Sequence, residues 1–192
     1  MSFDKMVLYY GAPALCGVKS ASLFSAKPNF ASAEHILLWM QLLASVGKKM
    51  AVIDRSPLLK LFFVYDERIM YETVGGAAQV AYLAAKGYPV SKGLSAVLSE
   101  LFFRIETQRD FPHEIGLFLG YPLEDVVCFE RDGGKSSKFS GMWQVYSNVE
   151  EACRRMALYR KCSDTFARCY DEGMDFLHIH KNYSISLGGI KV

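Results

Sequence analysis

The run Phe111-Pro112-His113-Glu114-Ile115-Gly116-Leu117-Phe118-Leu119-Gly120-Tyr121-Pro122-Leu123-Glu124-Asp125-Val126 is the most patterned stretch in the chain. Pro112 suits the first turn of a helix, where its missing N–H costs nothing. Glu114 then falls near the positive end of the helix dipole. Ile115, Leu117, Phe118 and Leu119 give a broad apolar face. Gly120 stops the helix, because glycine takes the left-handed cap conformation cheaply. Tyr121-Pro122 turns the chain, and Pro122 opens a second helix through Asp125, Val126, Val127 and Phe129. The run predicts helix, tight corner, helix.

Working back from the corner, Ser91 caps a predicted helix from Gly93 to about Glu106, with Leu94, Val97, Leu98, Leu101 and Ile105 inward. Ala77 to Lys86 predicts a helix, as does a short piece capped by Asp66; Gly75-Gly76 separates the two. Lys49–Asp54 and Leu59–Tyr65 predict an antiparallel hairpin around Ser56-Pro57. Ser32 caps a helix from Ala33 to about Ser45, with Ile36, Leu37, Met40, Leu43 and Ala44 on its inner face. Lys19–Ser25 predicts a strand. Residues 3–10 predict a short helix broken by Gly11 and Pro13.

Beyond the corner, residues 132–137 predict a flexible loop, and Lys138–Tyr146 a strand in which Phe139, Gly141, Trp143 and Val145 alternate with Ser140, Met142, Gln144 and Tyr146. Asn148 caps a long last helix from Val149 to about Glu172. Residues 173–192 predict a loosely attached tail, with an edge strand from Tyr183 to Leu187. Few strands, many helices and no regular strand–helix–strand rhythm give an α+β fold. It is a small, mostly antiparallel sheet packed with several helices, in a single domain over residues 1–192.

At 192 residues and 51% hydrophobic content, the chain has enough apolar mass for a core. A net charge of +2 argues against a strong nucleic-acid or membrane-surface binder. The five cysteines are odd in number and contain no CxxC pair, which points to reduced thiols and a cytoplasmic protein. The apolar stretch Met6–Val18 is interrupted by Pro13 and two glycines, and no signal-type cleavage site follows it closely. No run approaches the roughly 20 apolar residues that a membrane span needs.

The 111–126 run resembles the signature of an uncharacterised bacterial family, domain of unknown function 3793. Three further pieces resemble it in order. These are Ala12-Pro13-Ala14-Leu15 with Gly17-Val18-Lys19 and Leu23-Phe24-Ser25, then Gly141-Met142-Trp143-Gln144-Val145-Tyr146, then Lys161-Cys162. Together they span roughly residues 10 to 170. The resemblance implies no established activity. Members usually carry His-Cys before the Ala-Pro pair, where this chain has Tyr10-Gly11. Any thiol role there is absent.

His113 stands at a predicted helix start, where an imidazole can face a groove as base or ligand or can fix the corner by bonding backbone. Glu114 is its neighbour, either as a dipole partner or as a functional carboxylate. Cys16 lies in a Gly/Pro-rich loop and is the cysteine a Cys/His hydrolase would need, although its apolar neighbours also suit a small buried hydrophobe. Cys162 and Cys169 share a helix face about 10.5 Å apart, too far for a disulfide. His178 and His180 would face one side of a strand, but two histidines without further ligands make no metal site, and none is assigned. Residues 114–122 mimic a helix-turn-helix, yet the second helix offers Glu124, Asp125, Val126, Val127 and Glu130, where base readout needs Arg, Lys, Asn or Gln. Gly133-Gly134-Lys135-Ser136 lacks the first glycine of a phosphate loop and precedes a strand.

The leading expectation is a non-catalytic binding or regulatory protein. Its groove is lined by the 12–19 loop with Lys19, by His113, and by Tyr121, Trp143 and Tyr146. The alternatives are a hydrolase-like enzyme using His113 with Glu114, or Cys16, and a helix-turn-helix regulator. A small molecule or a protein is the expected partner, with no membrane and no nucleic acid; the sequence names no cofactor.

Overall fold

The computed structural model describes residues 1–188, so the last four residues of the predicted tail lie outside the described residues. The fold is α+β. Its chain contacts group into two compact units: Met1–Ile69 with the segment from Ala157 onward, and Met70–Met156.

The first unit holds a three-stranded antiparallel sheet, order β1-β3-β2, of β1 (Ala21–Ala26), β2 (Lys48–Ser56) and β3 (Leu59–Asp66). The predicted hairpin is β2–β3, with Met50 opposite Val64 and Ile53 opposite Leu61. Helix α1 (Phe3–Leu15) packs on β1 and β3, and α2 (Ala33–Ser45) on β2. Phe3 meets Phe62 edge-on at 4.9 Å, and Phe62 stacks on Phe24 at 5.2 Å.

Gly11 and Pro13 do not break α1 as their propensities predict. Val7, Leu8, Gly11, Ala12, Ala14 and Leu15 are all buried, and that packing outweighs the local cost. Ser32 caps α2, its hydroxyl accepting from the His35 amide at 3.2 Å. The inner face of α2 differs from the predicted one. Leu37 is 56% exposed, whereas Trp39 and Leu43 are buried. Trp39 Nε1 donates to Asp4 Oδ1 at 2.6 Å and its ring packs on Phe176, which turns that face inward.

The tail is helical: α9 (Phe176–Gly188) replaces the predicted edge strand. Phe176 and Ile179 are buried, one turn apart as helical packing requires. Cys162 and Cys169 are buried on α8 (Val149–Asp171), in the same core as α9.

The second unit contains the C-terminal part of α3 (Glu67–Val74), α4 (Ala77–Ala85), α5 (Leu94–Thr107), α6 (Ile115–Phe118), α7 (Leu123–Asp132), a small hairpin, and the start of α8. Ser91 does not cap α5. It lies in a 3-10 turn over Val90–Lys92, and Gly93 at φ 87° leads into the helix. The predicted strand 138–146 folds back on itself as β4 (Phe139–Ser140) and β5 (Gln144–Val145). The Gly141 amide closes that turn on the Trp143 carbonyl at 3.1 Å. Alternation alone does not distinguish one strand from two short ones around a glycine.

Candidate functional site

The 111–126 corner is built of main-chain turns. Helix α6 begins at Ile115, three residues later than Pro112 predicts. Ahead of it the amides of Ile115, Gly116 and Leu117 donate to the carbonyls of Pro112, His113 and Glu114, an i to i+3 winding tighter than an α-helix. At the far end Gly120 takes φ 76°. The Tyr121 amide then donates to the Gly116 carbonyl and the Gly120 amide to that of Leu117, each at 2.9 Å, which makes a Schellman cap. Gly116 sits tightly against its neighbours, since a Cβ there would lie 3.0 Å from Val126 and 3.1 Å from the Tyr121 ring.

Two buried carboxylates hold this corner. Glu114 points inward, away from the dipole role predicted for it. Its Oε1 accepts from Tyr88 Oη at 3.0 Å and Arg104 Nη1 at 3.1 Å. The Arg104 guanidinium also lies over the Tyr88 ring, 4.1 Å from its centre. Burial, then the Glu114 carboxylate, pushes the Tyr88 phenol well above its ordinary pKa. Asp125, on α7, fixes the hairpin. Its Oδ1 accepts from the amides of Tyr146 and Ser147, both at 2.9 Å, and its Oδ2 from Trp143 Nε1 at 2.8 Å. Nothing in the sequence singled Asp125 out except its place in the signature; its partners are about twenty residues on.

Between α6, α7 and the hairpin lies a cavity of about 350 Å³, lined in part by Phe111, His113, Tyr121, Phe129, Met142 and Trp143. Tyr121 stacks on Trp143, with ring centres 4.7 Å apart and planes at 18°. His113 meets Phe129 edge-on at 5.1 Å. His113 is exposed, and its imidazole makes no hydrogen bond or ion pair among the described residues. Thus the structure brings together His113, Tyr121 and Trp143.

Tyr146 is buried nearby in sequence but does not line the cavity; burial, then Asp132, raises its phenol. Neither Lys19 nor any other residue of the 12–19 loop is among the lining residues. Lys19 belongs to the first unit, where its ammonium lies 5.4 Å from the Tyr159 ring centre. Cys16 is buried in the same unit. A hydrogen bond with Cys162 and burial push its thiol strongly upward, so it stays protonated.

His178 and His180 lie on α9, two residues and hence about 200° apart, instead of sharing one face of a strand. His178 bonds Asp175 at 2.6 Å, and His180 is half-buried. Among the described residues, no group of three or more His, Cys, Asp or Glu is placed to hold a metal. No helix there is long and apolar enough to cross a membrane. Helix α6, the first helix of the helix-turn-helix mimic, has four residues.

The model of one protein family, described as a protein of unknown function and designated DUF3793, matches residues 7–180. No curated protein and no solved structure matches the chain.

Proposed function

The chain belongs to the DUF3793 family, and we propose that it is a non-catalytic protein that binds a small molecule in the cavity at its helical corner. One observation carries this reading: His113, Tyr121 and Trp143 converge on a single cavity of about 350 Å³, and the imidazole makes no hydrogen bond or ion pair among the described residues. Such a volume is within the range of small-molecule sites, which are mostly apolar with a few placed polar groups. The Schellman cap and the two buried carboxylates give the walls a fixed shape before any ligand arrives, which lowers the ordering cost of binding.

An enzyme has less behind it. Glu114 is engaged by Arg104 and Tyr88, so it does not serve His113, and Cys16 is a protonated core thiol. A DNA-binding role has less still, because α7 opens with Glu124 and Asp125. Five free cysteines fit a reducing, cytoplasmic setting.

The test is the thermal shift of the wild type and of His113→Ala across a small-metabolite and divalent-metal panel. The reading expects a compound that stabilises the wild type and not the mutant, with both proteins melting alike when free. A strongly destabilised mutant beside a wild type that no compound stabilises would overturn it.

A further inference from the structure

We infer that the ligand of the corner cavity is a neutral, planar aromatic compound bearing one polar substituent that reaches His113. The inference rests on the cavity being a ligand site.

The polar groups of the wall set the charge. Asp125 is the sole carboxylate of the lining, and no lysine or arginine belongs to it. Both Asp125 oxygens are occupied, by two amides and by the Trp143 N–H. The Gln144 amide is engaged at both ends: Ser137 Oγ donates to Oε1 at 2.8 Å, and Nε2 donates to Ser140 Oγ at 2.9 Å. His113 is the lining side chain whose polar atoms make no hydrogen bond among the described residues, and the Tyr121 phenol is a second polar group of the wall. A charged ligand would exchange its hydration for a wall that holds no lysine or arginine and whose one carboxylate is already engaged, an unfavourable transfer. A neutral one needs a single hydrogen bond, which either nitrogen of the imidazole can supply as donor or acceptor.

The rings set the shape. Tyr121 covers one face of the Trp143 indole, and the Arg155 guanidinium carbon lies over the same ring, 5.8 Å from its centre. With Tyr121 stacked on one face, the indole also offers its edge. Aromatic edges carry the positive end of the ring quadrupole, so they attract the π-face of a flat ligand and repel a cation. A quaternary-ammonium cage needs several open ring faces around the cation, and here Tyr121 already takes one face of the Trp143 indole. Met142, 44% exposed at the rim, is an unbranched thioether that can fold over rings of differing outline.

The experiment uses the full chain and 2-naphthol as probe, with 2-naphthoate, phenyltrimethylammonium and cyclohexylmethanol as controls for negative charge, positive charge and flatness. Binding is followed by amide and indole chemical shifts in assigned ¹H–¹⁵N spectra. The expected result is saturable movement of the Gly116 and Met142 amides and the Trp143 indole signal. 2-Naphthol should bind about tenfold tighter than each control. His113→Ala should weaken it roughly threefold to tenfold, while His113→Gln, which keeps a donor and an acceptor, retains most of the affinity. A control that binds the same signals as tightly overturns the ligand class and leaves the cavity reading standing. Silence from all four compounds while the metabolite panel yields a His113-dependent hit overturns the class alone. Silence in both experiments overturns both. Unchanged binding by His113→Ala overturns the anchoring role of the imidazole.

Discussion

Trp143 Nε1 donates to Asp125 Oδ2 at 2.8 Å, and both residues are buried. The same carboxylate accepts the backbone amides of buried Tyr146 and half-buried Ser147, so three donors depend on one side chain. Asp125→Ala leaves all three unpaired. We expect a loss of about 2–4 kcal/mol, at the upper end for hydrogen bonds to a charged group. Urea unfolding of the two proteins measures it, and a loss under about 1 kcal/mol would mean that the hairpin is held by other contacts.

Gly120 ends α6 at φ 76°, in the left-handed region. Gly120→Ala should destabilise the protein by roughly 1 kcal/mol or more, because a Cβ is disfavoured there. Wild-type-like melting of this variant would contradict the cap.

Two groups of the first unit make stability fall with acid. Burial, and then the Lys48 charge, holds the His180 imidazole below its usual 6.5. For Asp66, burial opposes the charge. Hydrogen bonds from Lys48 and the Ile69 amide, with the charges of Lys48 and Arg68, outweigh it and hold the carboxyl below its usual 3.8. Both folded-state values are depressed. The unfolded chain therefore takes up protons first, and each contribution is complete above the ordinary value and is lost as pH falls through the folded one. Urea midpoints should decline first below 6.5, with that phase missing in His180→Gln, and again below 3.8. The second phase should shrink in Lys48→Met combined with Asp66→Asn, which removes the buried pair without stranding either charge. Acid profiles identical to wild type in these variants would refute the assignments.

The cysteines should differ in reach. Cys153 is exposed and Cys128 half-buried, while Cys16, Cys162 and Cys169 are buried. Alkylation of the native protein should label Cys153 first and spare the three core thiols. Under denaturing, non-reducing conditions, mass measurement should count five labelled thiols; three or fewer would reveal a disulfide.

Much of the corner was legible from local chemistry. Gly120 before Tyr121-Pro122 marks a left-handed stop and a new helix, because φ preferences act within a few residues. His113, Tyr121 and Trp143 were readable as candidates because each stands out in type and place. Local chemistry leaves Glu114 open between a dipole partner and a functional carboxylate; its partners, Tyr88 and Arg104, are fixed by burial, which no local pattern encodes.

The sequence by itself determined the α+β class, the β2–β3 hairpin, the Ser32, Asp66 and Asn148 caps and the family, since each depends on periodicity, turn residues or a contiguous signature. Tertiary structure alone decided that α1 runs through Gly11 and Pro13, that α2 buries Trp39 in place of Leu37, and that the tail is a helix. It alone also decided that Lys19 and Tyr146 do not line the cavity that His113 shares with Tyr121 and Trp143. The physical reason is common to these cases. Burial of apolar surface and pairing of buried polar groups act between residues far apart in the chain, and they outweigh local propensities, which differ by fractions of a kcal/mol for most residues and by about 3 kcal/mol for a proline within a helix.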